Sequence, residues 1–378
     1  MIPLLFGIGL TVVSASTAAR SPTSEPSWTC AYVAERLPRT LLVLGHDAVS
    51  GEETRAGRTR LGLSEAILTR GSNLALARAL GATRLVVVRC FDLGESARIE
   101  AQAFDTERPA AGETIEITRP LAELPAAIDE IGRRLSPGAP AFGDLAYRAP
   151  SPRSLLVAGP ALGHSAASER ARGLTQAVNE DPTSIGLRLS AVGALVAARD
   201  FEAAIGLARL PTPPGTPAAL VRSLRFLAGA AQLEAGRYAE ASSTFEALRR
   251  GRESAAVLNN LGVASFRLRR DTGSGFFERA GTLPDHRQSD IAFNRALALL
   301  FEGRAAEGLP LLDRALDASP TDVYVRLLRV WALRLLSRPA AHGKEWEQLL
   351  ALAPSFAPLR EPDLARRLER IFLSERAP

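Results

Sequence analysis

Few groups in this 378-residue chain could make or break bonds. Lys344 is its only lysine, so Schiff-base chemistry would have a single candidate. A phosphate-binding loop needs a glycine-rich turn ending in lysine and a hydroxyl residue, and Gly343-Lys344-Glu345 supplies neither the glycines nor the hydroxyl. Gly163-His164-Ser165 places an imidazole beside a hydroxyl, but without a nearby acid or a Gly-x-Ser-x-Gly turn. Gly7-Ile8-Gly9 lacks the third glycine of a dinucleotide fingerprint. Glu52-Glu53 follows Gly51 in what reads as an exposed turn, where carboxylates are simply hydrated. Cys30 and Cys90 are too few for a zinc site, and His46, His164, His286 and His342 share no ligand spacing. These residues predict a chain that is not an enzyme and uses no metal or cofactor.

The polar residues whose spacing does recur are amides. Asn260 and Asn294 stand 34 residues apart. A primary amide donates and accepts at once, which suits it to hold the backbone of an extended peptide. The same register puts Leu189, Phe226, Asn259, Phe293 and Leu327 at equivalent places along a groove. Val263, Phe266, Arg267, Leu297 and Trp331 fall one turn or more further along. The candidate peptide-binding set is therefore Phe226, Asn259, Asn260, Arg267, Phe293, Asn294 and Trp331. Phe226, Phe293 and Trp331 also fit an apolar core between repeats, and Ser190, Leu227 and Leu328 interrupt the amide ladder.

Such a register requires repeated helices to carry it. From about residue 151 the chain turns into Ala- and Leu-rich segments broken at regular intervals. Pro320 and Pro354 are 34 residues apart, and Pro182 precedes Pro320 by 138, four repeats averaging 34.5. Each proline follows an apolar helical stretch, where it ends one hairpin and sets the turn into the next. Arg199-Asp200-Phe201, Gly236-Arg237-Tyr238 and Gly303-Arg304-Ala305 mark the turns within hairpins. Leu258-Asn259-Asn260-Leu261-Gly262-Val263-Ala264 has a small residue where a partner helix would cross. Residues 151–354 on these grounds resemble tetratricopeptide repeats, four to five hairpins forming a curved solenoid. The copies are uneven: residues 210–218 lengthen one connection, Gly159-Pro160 is expected to break the first helix, and Asp271 to Gly275 to weaken a later one. A final amphipathic helix over 361–373 would cap the open end.

The first half has a different rhythm. A helix is predicted over Trp28 to Leu44 despite Pro38, a short strand over His46 to Ser50, and a helix over Ser72 to Leu80 stopped by Gly81. Leu85-Val86-Val87-Val88 reads as a strand buried on both faces. Ile99-Ala101-Ala103 and Ile115-Ile117 alternate with polar residues as half-exposed strands joined around Pro109 to Gly112. Leu121 to Leu135 reads as a closing amphipathic helix. The run Leu80 to Arg89, the strand pair and Pro120-Leu121-Ala122-Glu123-Leu124 resemble the TolB amino-terminal-type domain over roughly residues 8–136. The resemblance implies a bacterial, often envelope-associated protein and brings no catalytic residues. Residues 1–19 admit two readings: a secretory signal without a positive start, or a first strand from Ile8 to Ser14. Pro137 to Pro152 reads as a linker. Cys30 and Cys90 are either two buried thiols or, in an exported protein, a bridge.

The expected architecture is a small α/β domain over 20–136 followed by an all-α solenoid over 153–354 and a tail over 355–378. With 46 basic and 41 acidic residues the net charge is +5, but the arginines are interleaved with acids, as in Arg366 to Arg370, and form no nucleic-acid stripe. Membrane association would come only through the first residues. The function expected is a non-enzymatic protein–protein interaction scaffold, periplasmic or envelope-associated or else cytoplasmic, that docks a polypeptide in the concave groove. The alternative is a small-ligand or glycan sensor whose α/β domain binds and whose array relays.

Overall fold

The computed structural model describes residues 11–17, 28–61, 63, 69–107, 111–137, 139, 150–164, 166–268, 273–283, 288–318 and 320–354. Its close contacts divide the chain into two compact units, Met1–Ala231 and Gln232–Pro378. That division falls inside a helix of the array rather than at the proline-rich stretch after residue 136.

In the first unit, β1 (Thr11–Thr17), β2 (Arg84–Asp92), β3 (Ser96–Asp105) and β4 (Ala111–Pro120) form one sheet in sequence order. β1 runs parallel to β2, and β2, β3 and β4 are an antiparallel meander. Strand alternation sends Val88, Cys90, Ala101, Ile99, Ile115 and Ile117 to one face, where all are buried. That face is covered by α1 (Trp28–Val43) and α4 (Leu124–Leu135), which a Cys30–Cys90 disulfide and a two-pronged Arg36–Asp129 pair at 2.7 and 3.2 Å fasten in place. On the other face α3 (Arg70–Ala79) covers only one end of the sheet, packing Ala77 with Val12, Leu85 and Phe104.

Two expectations fail between α1 and α3. The strand expected over His46 to Ser50 reduces to a single bridge, in which Thr11 donates to the carbonyl of Asp47 and Val49 donates to that of Thr11, both at 2.9 Å. The expected breaker Gly51-Glu52-Glu53 instead opens α2 (Gly51–Arg60). Ser50 accepts from the Glu53 amide while the Glu53 carboxylate accepts from Ser50, a reciprocal cap that starts a helix despite the glycine. Glu53 is thus a capping residue and not part of a loose turn.

Twelve helices then follow among the described residues, in six sequential pairs. α5 (Pro152–Gly163), α6 (Ala167–Glu180), α7 (Ile185–Ala197) and α8 (Phe201–Ala208) belong to the first unit. α9 (Ala218–Glu234) contains the division between the units. The second unit holds α10 (Tyr238–Gly251), α11 (Ala255–Arg267), α12 (Gly273–Gly281), α13 (Gln288–Phe301), α14 (Ala305–Ala318), α15 (Val323–Leu335) and α16 (Pro339–Leu352). Ser184, Ser254 and Asp322 accept from the first-turn amides of α7, α11 and α15 and fix where those helices begin. The turns inside pairs place Arg199, Gly236, Gly303 and Ser337 at positive φ, as a left-handed helix stop demands. Pro160 does not break α5, which runs on to Gly163; the proline sits in its last turn and frees only the carbonyl of the exposed Leu156. Gly273 and Gly275 are both within α12, so the weak segment is helical. The expected terminal helix over 361–373 and most of the linker lie outside the described residues.

The first pairs are not held at a distance from the sheet. α1 is buried on nearly every side because α5 and α7 pack on it opposite the sheet. Gly159 of α5 lies against the Trp28 ring, where a Cβ would fall 2.6 Å from a ring carbon. Arg39 of α1 donates to the carbonyl of Gly186 in α7 at 2.9 Å. The lengthened connection after α8 is tied down by the buried Arg188, which donates to the carbonyls of Leu210 and Pro211 at 2.7 and 3.1 Å.

Candidate functional site

Ser190, Leu227, Asn294 and Leu328 each lie nine residues before the positive-φ residue of their pair, so they are one structural position on the first helices α7, α9, α13 and α15. Asn260 is the same position on α11 by the 34-residue spacing. These helices line the groove side of each pair. What lies on that side differs along the chain.

On α7 the position is covered. Ser190 is 5% exposed and donates to the carboxylate of Glu35 at 3.4 Å. Glu35 is itself 4% exposed and receives Arg39 at 2.6 Å and also Arg55. Burial pushes its pKa up, but the guanidinium groups of Arg55 and Arg39 more than offset this and hold it below the usual carboxylate range. A cavity of about 10 Å³, room for one water, remains between Tyr32, Arg36, Arg39, Leu187 and Ser190. α1 therefore occupies this stretch of the groove side, and Leu189, expected to face a groove, is buried.

On α11 and α13 the same face is half-exposed. Asn260, Val263, Phe266, Arg267, Phe293 and Asn294 are all partly accessible. The amides form a row of their own: Asn294 Nδ2 donates to Asn259 Oδ1 at 3.0 Å, and Asn259 Nδ2 to Asn260 Oδ1 at 3.4 Å. Asn259 is 7% exposed, so it serves as the inner link of that row rather than as a groove contact. Arg267 Nη1 is buried without a hydrogen-bond partner, and no carboxylate pairs with Arg267 among the described residues. Its guanidinium lies 5.9 Å from the centre of the Tyr238 ring.

On α15 the face closes again. Leu327 and Leu328 are wholly buried, and Trp331 is 6% exposed in the core cluster of the last pairs. Trp331 meets Phe301 edge-on at 4.9 Å, and Phe301 meets Phe266 at 5.6 Å, so three successive first helices are joined by an aromatic run. Phe301 was not legible as a member; it stands in the last turn before Gly303, outside the repeated motif. Leu297 is also buried, and Phe226 is half-exposed on α9 in the first unit. Of the predicted residues, hydrogen bonds bring Asn259, Asn260 and Asn294 together, whereas Arg267 lies by Tyr238 of α10 and Phe293 packs against the core of the last pairs.

A second concavity of about 500 Å³ lies in the second unit, lined by Arg249, Glu253, Leu258, Ser274, Phe276 and Arg279. Among the described residues there is no cluster of His, Cys, Asp or Glu fit to hold a metal ion, and no helix long and apolar enough to cross a membrane.

Paired helices of 8–17 residues, a 34-residue period and a left-handed stop inside the pairs define a helical-repeat protein of tetratricopeptide type that also carries a four-stranded sheet. No family model and no curated protein matches the chain. Among solved structures it is similar to YrrB, "a TPR protein with an unusual peptide-binding site", with 17% identity over 49% of this chain and 94% of that one at a TM-score of 0.37. The Cut9–Hcn1 complex of APC/C matches at 15% identity over 57% of this chain and 42% of that one, TM-score 0.46. PilF of Pseudomonas aeruginosa matches at 17% identity over 53% and 91%, TM-score 0.42.

Proposed function

We propose that the chain is a non-catalytic interaction scaffold that docks a polypeptide segment against α11 and α13, and that it works in the periplasm or cell envelope. One observation carries the docking reading. The groove side is covered by the chain's own helix on α7 and by core packing on α15, yet on α11 and α13 it presents apolar, amide and cationic groups half-exposed. A surface of that composition suits a partner helix or strand better than water. The export reading is supported by the Cys30–Cys90 bridge, since such bridges persist in oxidising compartments. The resemblance of the first half to the TolB amino-terminal-type domain agrees with it.

A photo-crosslinking residue placed at Val263 of the full chain, in living cells, tests the docking. One discrete adduct from Val263, absent from the exposed Glu202 on α8, is expected. No adduct, or the same ladder from both positions, would overturn the reading. Mass analysis of the mature amino terminus tests the first residues. β1 contributes the buried Val12 and Val13, so a terminus upstream of Thr11, with the protein tethered to the envelope by its uncleaved first residues, is expected, and a start near Ala19 would contradict that strand.

A further inference from the structure

We infer that the Cys30–Cys90 bridge is made on the open chain by a disulfide-bearing oxidant, before α5 and α7 close over α1, and is sealed from thiol reagents afterwards. This adds to the export reading the step at which an oxidant must act, and its test does not depend on the compartment. The first support is burial. Cys90 is 0% and Cys30 5% exposed, and the pair joins the sheet to α1. β2 lies between β1 and β3, so no sheet edge leads to Cys90. α5 and α7 pack on α1 opposite the sheet. Thiol–disulfide exchange requires that one sulfur reach another directly, and a pair so enclosed offers no approach.

The second support is the seal. Cys30 stands in the first turn of α1, two residues after Trp28. Gly159 of α5 lies so close to the Trp28 ring that a Cβ there would fall 2.6 Å from a ring carbon. α5 thus covers the end of α1 that carries the sulfur. The third support is chain order. Both cysteines precede the cover, since α5 and α7 begin only at Pro152 and Ile185. A chain delivered from its amino end brings β2 to α1 before that cover exists. With two cysteines only one intramolecular pairing is available, so no reshuffling step has to follow. The chemistry is two exchanges. One cysteine thiolate attacks a sulfur of the oxidant, forming a mixed disulfide and releasing the oxidant's other sulfur as a thiolate. The second cysteine thiolate attacks the first cysteine's sulfur and displaces the oxidant's remaining sulfur. Two electrons and two protons pass to the oxidant, whose disulfide becomes two thiols.

Rates of thiol oxidation test this on the full-length chain, with oxidised glutathione as the oxidant and mass analysis after acid quench as the readout. Reduced chain is offered the oxidant in urea and after refolding without it, each rate being normalised to free cysteine in the same buffer. Oxidation of the refolded chain is expected to be at least about a hundredfold slower, as for a site reached only through local opening. Hydrogen exchange on α7 before the oxidant is added makes a fast reaction decisive. Fast oxidation with α7 protected would overturn the inference. Fast oxidation with α7 unprotected would show that closure itself waits for the bridge, and would support it. Gly159→Val should speed oxidation of the refolded chain about tenfold by lifting α5 from Trp28, with β2 and β3 still protected. An unchanged rate would overturn α5 as the seal. Dithiothreitol should open the bridge of the native protein at least about a hundredfold more slowly than in urea, and equal rates would overturn the sealing whatever Gly159→Val does.

Discussion

α7 and α13 are the equivalent first helices of two different repeats, and they differ in what rests on them. α7 has its groove side sealed by α1, with a buried carboxylate between two arginines at the seam. α13 has no such cover from the chain's described residues, and its amide turns sideways to the neighbouring repeat instead. Both units nevertheless bury a glutamate between two arginines. In the second it is Glu345 of α16, held by Arg326 at 2.7 Å and by Arg329 of α15. There the charge joins two helices of one pair; in the first unit it joins the array to another kind of domain. One first helix is thus covered by internal docking, while its equivalent in the second unit stays half-exposed among the described residues.

The largest effect should come from the bridge that anchors α1. Replacing Cys30 and Cys90 with alanine opens a 60-residue loop and should cost about 4 kcal/mol by chain entropy. Unit-resolved hydrogen exchange should show faster exchange in α1 and α7, with α11 and α13 unmoved. Glu35→Gln leaves two arginines facing a neutral group and should cost about 3 kcal/mol, again in the first unit alone. Because the folded pKa of Glu35 is depressed, its contribution is fully present above its ordinary value near 4.5 and is lost as pH falls through the lower folded value. The acid limb of the first unit's stability should therefore flatten in the variant. Gly262→Ala should cost about 2 kcal/mol in the second unit, since a Cβ would fall 2.7 Å from the Phe277 ring. Gly275→Ala, with nothing within 4 Å, should instead raise melting slightly by helix propensity, by up to about 1 kcal/mol. The smallest change expected is Ser337→Gly, a gain of roughly 1 kcal/mol or less from relieving a positive φ of 53°.

The repeats were legible because they are local. Proline after an apolar stretch, a tight turn and a 34-residue period all act over one hairpin, and Pro182, Pro320 and the turns at Arg199, Gly236 and Gly303 stand where expected. The local signals mislead where one overrides another. Gly51 alone predicts a breaker, although Ser50 and Glu53 have the spacing of a reciprocal cap. Pro160 alone predicts an interruption, although a proline so near a helix end disturbs little. The candidate site was legible only in part, because exposure is set by distant packing. Nothing local to Ser190 announces Glu35, 155 residues earlier in the chain, and nothing local to Leu327 announces its burial. Ser190, which looked like a gap in an amide ladder, is the one position of the register that already holds an acid.

Carbene footprinting of the intact protein, read out peptide by peptide, tests the central contrast most directly. Side chains from Asn260 to Arg267 should label while those from Gly186 to Ser190 stay dark, and Glu35→Gln should raise labelling only on α7. Equal labelling of the two helices in the unmodified protein would contradict a first helix covered by the chain's own α1 in one unit and its equivalent left half-exposed in the other.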